Sequence, residues 1–150
     1  VFTRSFSYRN AGLTTASGSY WTFPYNVTMD ITDSNGTTSN YDSPYYQYAE
    51  AGSNTYSLFI MGDNPLTVLH SDSENGTGKK IAVVKESYCN AFSPYLTNNY
   101  SEVHIIDFRY FGQNLADYCK QNGITEVLYL NGIMSANTQV QLDSMDGLLN

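Results

Sequence analysis

A chain of 150 residues amounts to about one domain, long enough to bury roughly 68–70% of the surface that it exposes when unfolded. Hydrophobic residues make up 41% and charged residues only 14%, and the deficit of charge is filled by Ser, Thr, Asn, Gly and 14 Tyr, which excludes a disordered polyelectrolyte. Seven Lys and Arg against 14 Asp and Glu give a net charge of -7, which argues against nucleic acid as a partner, and no apolar run approaches the ~20 residues needed for a membrane span.

The chain opens at Val1 with no basic segment leading into an apolar one, as in a processed chain or a fragment. Low Lys with abundant Tyr, Asn, Ser and Thr resembles secreted bacterial surface proteins, so the expected location is extracellular or cell envelope. Residues 1–78 read as a β-rich segment of the same domain as the rest. Asn26 to Thr32 alternates around Val27, Met29 and Ile31 and meets Asn35-Gly36, which predicts a strand and a type I′ hairpin turn. Pro44 interrupts a cluster of tyrosines, Tyr56 to Met61 reads as a short strand, and Leu66 to Leu69 as another. Ser71 to Gly78 holds no apolar residue and reads as an exposed loop.

From residue 79 the pattern changes. Ile81 to Val84 is a continuous apolar run, suited to a strand covered on both faces. Ser87 to Tyr95 predicts a helix that Pro94 bends or ends, followed by a strand from Val103 to Phe108 and a helix from Asn114 to Asn122 stopped by Gly123. A strand from Thr125 to Leu130 and a terminal helix from Asn137 to Leu149 complete the chain. Alternating strands and helices with short connections predict right-handed crossovers, so residues 79–150 read as α/β with a parallel sheet.

Ligands of such sheets collect outside the carboxyl ends of the strands, which directs attention to Lys85-Glu86-Ser87, Asp107-Phe108-Arg109-Tyr110 and Asn131-Gly132. Ser87, where a strand hands over to a helix, is either an N-cap or a nucleophile beside unpaired backbone N–H groups. Arg109 is either the ion-pair partner of an acid such as Asp107 or a guanidinium that holds an oxyanion. Asn131 is either an oxyanion-hole amide or half of an Asn-Gly turn. Trp21, Tyr45 and Tyr46 are candidate carbohydrate-stacking rings, with half-buried sheet packing as the alternative. His104, mid-strand, reads as structural, and His70 as a solvated strand end. Cys89 and Cys119 read as buried apolar side chains, and two His and two Cys without close spacing give no metal site, so neither a metal nor a cofactor is expected.

The segment Lys85-Glu86-Ser87-Tyr88-Cys89-Asn90-Ala91-Phe92-Ser93-Pro94-Tyr95-Leu96 resembles the Lys-Asp-Ser-Tyr-Ala-Asn-x-x-x-Pro-x-Leu segment of the Asp-His-His-Trp (DHHW) protein family. Gly62-Asp63-Asn64-Pro65-Leu66 upstream, with Ile106-Asp107-Phe108-Arg109-Tyr110 and Val127-Leu128-Tyr129-Leu130-Asn131 downstream, extends the resemblance over residues ~48 to 145. That family is similar to SGNH hydrolases and polysaccharide O-acetyltransferases. The resemblance implies a parallel three-layer SGNH/flavodoxin-like core with Ser87 as nucleophile. Glu86 replaces the family's Asp, and no Asp-x-His or His-His-Trp occurs in the chain. The resemblance therefore implies the C-terminal portion of a longer protein whose general base was removed, lies in an earlier segment or was lost.

The expected function is a cell-surface esterase or O-acetyltransferase acting on an acylated polysaccharide. The alternative is a noncatalytic glycan-binding or scaffolding module. The expected partners are a carbohydrate polymer or acyl donor and the protein's own missing N-terminal segment.

Overall fold

The computed structural model describes residues 25–45 and 55–150 together with the backbone of two further strands, β1 (Phe2–Arg9) and β2 (Thr15–Thr22). These two pair antiparallel, from Phe2 opposite Thr22 to Arg9 opposite Thr15, as a sheet of their own. A six-stranded sheet follows, made of β3 (Val27–Thr32), β4 (Thr38–Tyr41), β5 (Leu66–Ser71), β6 (Lys80–Lys85), β7 (Glu102–Asp107) and β8 (Glu126–Leu130), in the order β4-β3-β5-β7-β6-β8. Among the described residues, three α-helices follow: α1 (Leu115–Asn122), α2 (Ile133–Ala136) and α3 (Gln139–Gly147).

The sheet is mixed: its strands from residues 79–150 are parallel, as expected, and antiparallel strands from residues 1–78 extend the same sheet. β6 pairs in parallel with β7 and β8 on its two sides, whereas β5 pairs antiparallel with β7, and β3 antiparallel with both β5 and β4. The cause is connection length: β6, β7 and β8 are separated by segments long enough for crossovers, but a short loop joins β5 to β6 and reverses the chain. Strands from both sides of residue 79 thus share one sheet.

The apolar run of β6 buries side chains on both faces. Ile81 and Val83 join Met29, Leu69, Val103, Ile105 and Cys89 in one cluster. Ala82 and Val84 join Ile106, Phe108, Leu115, Tyr118 and Leu148 in the other. Adjacent residues of one strand point to opposite faces, so a four-residue apolar run can serve two cores at once. β8 lies at the sheet edge and leaves Val127 and Tyr129 exposed.

Several local expectations are corrected. The β3–β4 loop is not a type I′ turn. Gly36 takes a positive φ of 80° but Asn35 does not, and the Gly36 N–H donates to the Asp33 carbonyl at 3.0 Å. Asp33 fixes this geometry by accepting from the N–H groups of Asn35 and Thr37 at 2.8 and 2.9 Å, an Asx turn that makes a second left-handed residue unnecessary. Tyr56 to Met61 is not a strand: Thr55–Leu58 is a 3₁₀ turn, and Phe59 alone forms a bridge, with Tyr45.

The first crossover is not an α-helix but two 3₁₀ turns, Ser87–Ala91 and Ser93–Asn98. Here the Ser93 hydroxyl donates to the Cys89 carbonyl at 2.9 Å and the Thr97 hydroxyl to the Pro94 carbonyl at 2.5 Å, capturing acceptors that a continuous helix would use. Pro94 opens the second turn instead of ending the first. The terminal helix forms within its expected range as α3, with Thr138 as its N-cap, and the short α2 precedes it.

Residues 71–78 are not wholly exposed either. Ser73 is buried and donates to the Asn98 carbonyl at 2.9 Å, and Gly76 packs on the chain at Tyr100 and Ser101. A Cβ at Gly76 would lie 2.6 Å from the Tyr100 carbonyl carbon, a contact that only backbone movement relieves. Gly76→Ala is accordingly expected to cost about 1–3 kcal/mol of stability, measured by denaturant unfolding. Among the described residues, no helix is long and apolar enough to cross a membrane.

Candidate active site

β6 ends at Lys85 and β7 at Asp107, and the two are register partners, so their side chains emerge together at the carboxyl edge of the parallel strands. The Lys85 ammonium, 1% exposed, donates to Asp107 Oδ2 at 2.9 Å and to Asp63 Oδ1 at 2.9 Å. Asp63 arrives from the turn that precedes β5. Because β5 runs antiparallel to β7, that turn lies at the same edge, where the Asp107 N–H donates to the Pro65 carbonyl at 3.2 Å. Its approach is strained: Ile60 and Met61 take positive φ values of 48° and 58°, followed by Gly62 at 86°. For a β-branched residue such as Ile60 that conformation costs on the order of 1–3 kcal/mol, which the burial of its side chain helps offset.

Four donors converge on the Asp63 carboxylate. Lys85 Nζ and Asn90 Nδ2 take Oδ1, both at 2.9 Å, while Arg109 Nη2 at 2.8 Å and the Ser87 hydroxyl at 2.5 Å take Oδ2. Burial works against the charge of Asp63. The hydrogen bonds from Ser87, Lys85 and Asn90 and the charge of Lys85 outweigh it and hold the carboxyl well below the usual range. Arg109 in turn grips Asp107 with Nε at 2.8 Å and Nη2 at 2.6 Å, a forked pair that keeps the guanidinium protonated and fixed. Its Nη2 also lies 3.2 Å from Ser87 Oγ. The cluster holds two cations against two carboxylates, with the half-buried Ser87 hydroxyl at its outer rim.

Glu86, one position before Ser87, caps the first 3₁₀ turn. Its Oε2 accepts from the Tyr88 N–H and its Oε1 from the Gly132 N–H, both at 3.2 Å, so the carboxylate stitches the Ser87 turn to the loop after β8. The longer side chain reaches the donors that the turn offers. The Asn131 amide nitrogen donates to Met145 Sδ at 3.3 Å, towards α3. The structure thus brings Ser87 and Arg109 into contact and turns Asn131 to a different neighbour.

Neither histidine reaches Ser87. His104 is buried, with Nδ1 2.8 Å from the Tyr118 hydroxyl and Nε2 3.1 Å from Glu102, near the amino end of β7. Burial lowers its pKa despite the Glu102 hydrogen bond, which favours the neutral imidazole. His70 lies opposite Glu102 in the sheet and pairs with Asp30 at 3.0 Å. Of the candidate stacking rings, Tyr45 packs edge-on against Phe59 with centroids 6.2 Å apart. Trp21 is placed only as a position in β2, opposite Thr3 of β1, and Tyr46 lies outside the described residues. The rings that border Ser87 and Arg109 in sequence are Tyr88, 79% exposed, and Tyr110, 54% exposed. Among the described residues, no group of three or more His, Cys, Asp or Glu is arranged to hold a metal ion.

Among solved structures, the chain is similar to the crystal structure of a DHHW family protein from Eubacterium siraeum DSM 15702, with a TM-score of 0.71 and 22% identity over 99% of this chain and 53% of that one. The chain has the fold of a DHHW family protein. It is also similar to Bacillus cereus PatB1, with a TM-score of 0.63 and 17% identity over 93% of this chain and 51% of that one. The structure of PatB1 with sulfonyl adduct gives a TM-score of 0.60 and 20% identity over 87% of this chain and 45% of that one. The chain therefore spans about half the length of these proteins. No protein-family model matches the sequence, and no curated protein matches it.

Within this DHHW fold, the residues at the ends of the parallel strands in the sequence already include Lys85, Ser87, Asp107 and Arg109. Asp63 and Asn90 are what that set misses. Asp63 sits in a Gly-Asp-Asn-Pro turn, where an acid is expected as a turn former, and Asn90 sits inside the turn that follows Ser87.

Proposed function

We propose that the chain carries the nucleophile portion of an SGNH-like acyl-transfer centre, an esterase or O-acetyltransferase acting on an acylated polysaccharide at the cell envelope, built on a three-layer core. The observation that carries this reading is the contact of 3.2 Å between Ser87 Oγ and Arg109 Nη2 at the carboxyl edge of the parallel strands. Ser87 Oγ attacks the ester carbonyl carbon. The oxyanion that forms is held by Arg109 and by the Ser87 N–H at the start of its turn. The tetrahedral intermediate then expels the sugar oxygen, which takes up a proton, and leaves an acyl-Ser87 ester for water or an acceptor hydroxyl.

The Ser87 proton needs a base, and Asp63, already bonded by four donors, is a weak one. The reading therefore assigns the base to an imidazole supplied by sequence outside this chain, consistent with the length of the proteins that share the fold. The exposed Val127 and Tyr129 on the edge strand β8 support a partner segment of that kind. Incubation of the longest obtainable form of the protein with an acetyl-ester reporter tests the role of Ser87. Turnover is expected to fall to background in Ser87→Ala, and equal turnover in both proteins removes Ser87 from the reaction.

A second reading, a noncatalytic glycan-binding or scaffolding module, is favoured by the absence of a histidine near Ser87 among the described residues, with Tyr88 and Tyr110 as exposed rings. Titration of polysaccharide against tyrosine fluorescence separates the two, since a chain that binds without turnover gives a saturable change that Ser87→Ala retains.

A further inference from the structure

The Asp63 carboxylate is oriented entirely from behind. Lys85 Nζ and Asn90 Nδ2 both hold Oδ1, and both belong to residues that are only 1% exposed. Lys85 is itself held by the buried Asp107. The turn beneath Asp63 is pinned as well: the Ile60 N–H donates to the Pro44 carbonyl at 2.9 Å and Asn64 Nδ2 to the Ile60 carbonyl at 3.4 Å. With Oδ1 taken, Oδ2 has one direction left, outward, where it meets Arg109 and the Ser87 hydroxyl. A serine hydroxyl by itself has three staggered wells and a freely turning proton. Here one well is selected, with the proton directed to Oδ2 and an Oγ lone pair directed to Arg109.

We propose that Asp63 is a positioning residue for the Ser87 nucleophile, delivered by the left-handed turn at residues 60–62 and locked by Lys85 and Asn90. This rests on the reading of Ser87 as a nucleophile. Lys85, Asn90 and Arg109 also donate to the Asp63 carboxylate and lower its basicity, so it orients the hydroxyl and leaves proton removal to another base. A carboxylate that merely balanced Lys85 would affect stability and leave the reactivity of Ser87 unchanged.

Phenylmethylsulfonyl fluoride reads that reactivity without requiring the natural substrate. The Ser87 Oγ–S bond forms, the S–F bond breaks, fluoride leaves, and the hydroxyl proton passes to buffer base. The labelling rate, followed by intact mass with folding checked by circular dichroism, is expected to fall at least tenfold in Asp63→Asn. Asp63→Gly is expected to lose labelling and to regain it with sodium formate but not with sodium chloride. An unchanged or faster rate in Asp63→Asn overturns the proposal. Should that variant fail to fold, equal labelling of Asp63→Gly in formate and chloride does the same. Wild-type labelling at Ser87 that ignores Asp63 defeats only this inference, whereas wild type that takes no label beyond that of Ser87→Ala defeats the nucleophile reading beneath it.

Discussion

Replacing Lys85 with methionine is expected to lower the unfolding free energy by about 3–5 kcal/mol, the range for removing one partner of a buried ionic pair. Methionine has similar length and no charge, so packing survives while Asp63 and Asp107 lose one of the two cations they share. Asp107 is fully buried and keeps only Arg109, which lies on the outer side of the cluster. The remaining pair places the expected cost towards the lower end. Denaturant unfolding at pH 7 measures it, and a cost below about 1 kcal/mol would mean that the cluster is not what joins the turn at Asp63 to the strand ends.

The same substitution has a pH signature. Asp63 is held below its usual value of 3.8, so the stability it contributes is present above that pH and is lost as pH falls towards its lower folded value. The gap between wild type and Lys85→Met should narrow as pH falls below 3.8.

Replacing Arg109 with alanine is expected to reduce Ser87-dependent ester turnover by about 10²–10³-fold, the range for removing one donor to a developing oxyanion. The guanidinium is partly exposed and already fixed by its fork on Asp107, so it needs no rearrangement when charge forms on the substrate. Arg109→Lys should recover little, because an ammonium on a shorter reach loses the fork that fixes its position. Turnover is measured after subtraction of the Ser87→Ala rate. A kcat within a few-fold of wild type in Arg109→Ala would reduce Arg109 to an ion-pair partner.

Much of the parallel half is legible in sequence because its signals are local. Ile81 to Val84 must lie between two cores, Asn114 and Gly123 bound α1 as N-cap and left-handed C-cap, and the residues just after each strand are where a ligand would be met. What is not legible depends on pairing. Nothing in the alternation of Val27, Met29 and Ile31 says that their strand joins the same sheet, nor that β5 runs antiparallel to β7. That direction alone carries Asp63 to a serine 24 positions away.

The 3₁₀ crossover is hidden for another reason. Ser93 and Thr97 spend their hydroxyls on backbone carbonyls in a segment whose apolar spacing suits a helix. Asn131 has the right place in sequence, but Met145, 14 residues later in α3, takes its amide. No local pattern foretells that contact.

The central claim is that Ser87 is a nucleophile held ready at the strand ends. Exposure of the protein to an activated acetyl ester, followed by peptide mapping, tests it most directly. The account predicts a single acetyl group, on the peptide that contains Ser87, absent from Ser87→Ala and removed by hydroxylamine. Acetyl groups spread over lysines and tyrosines, at equal levels in wild type and Ser87→Ala, would contradict it.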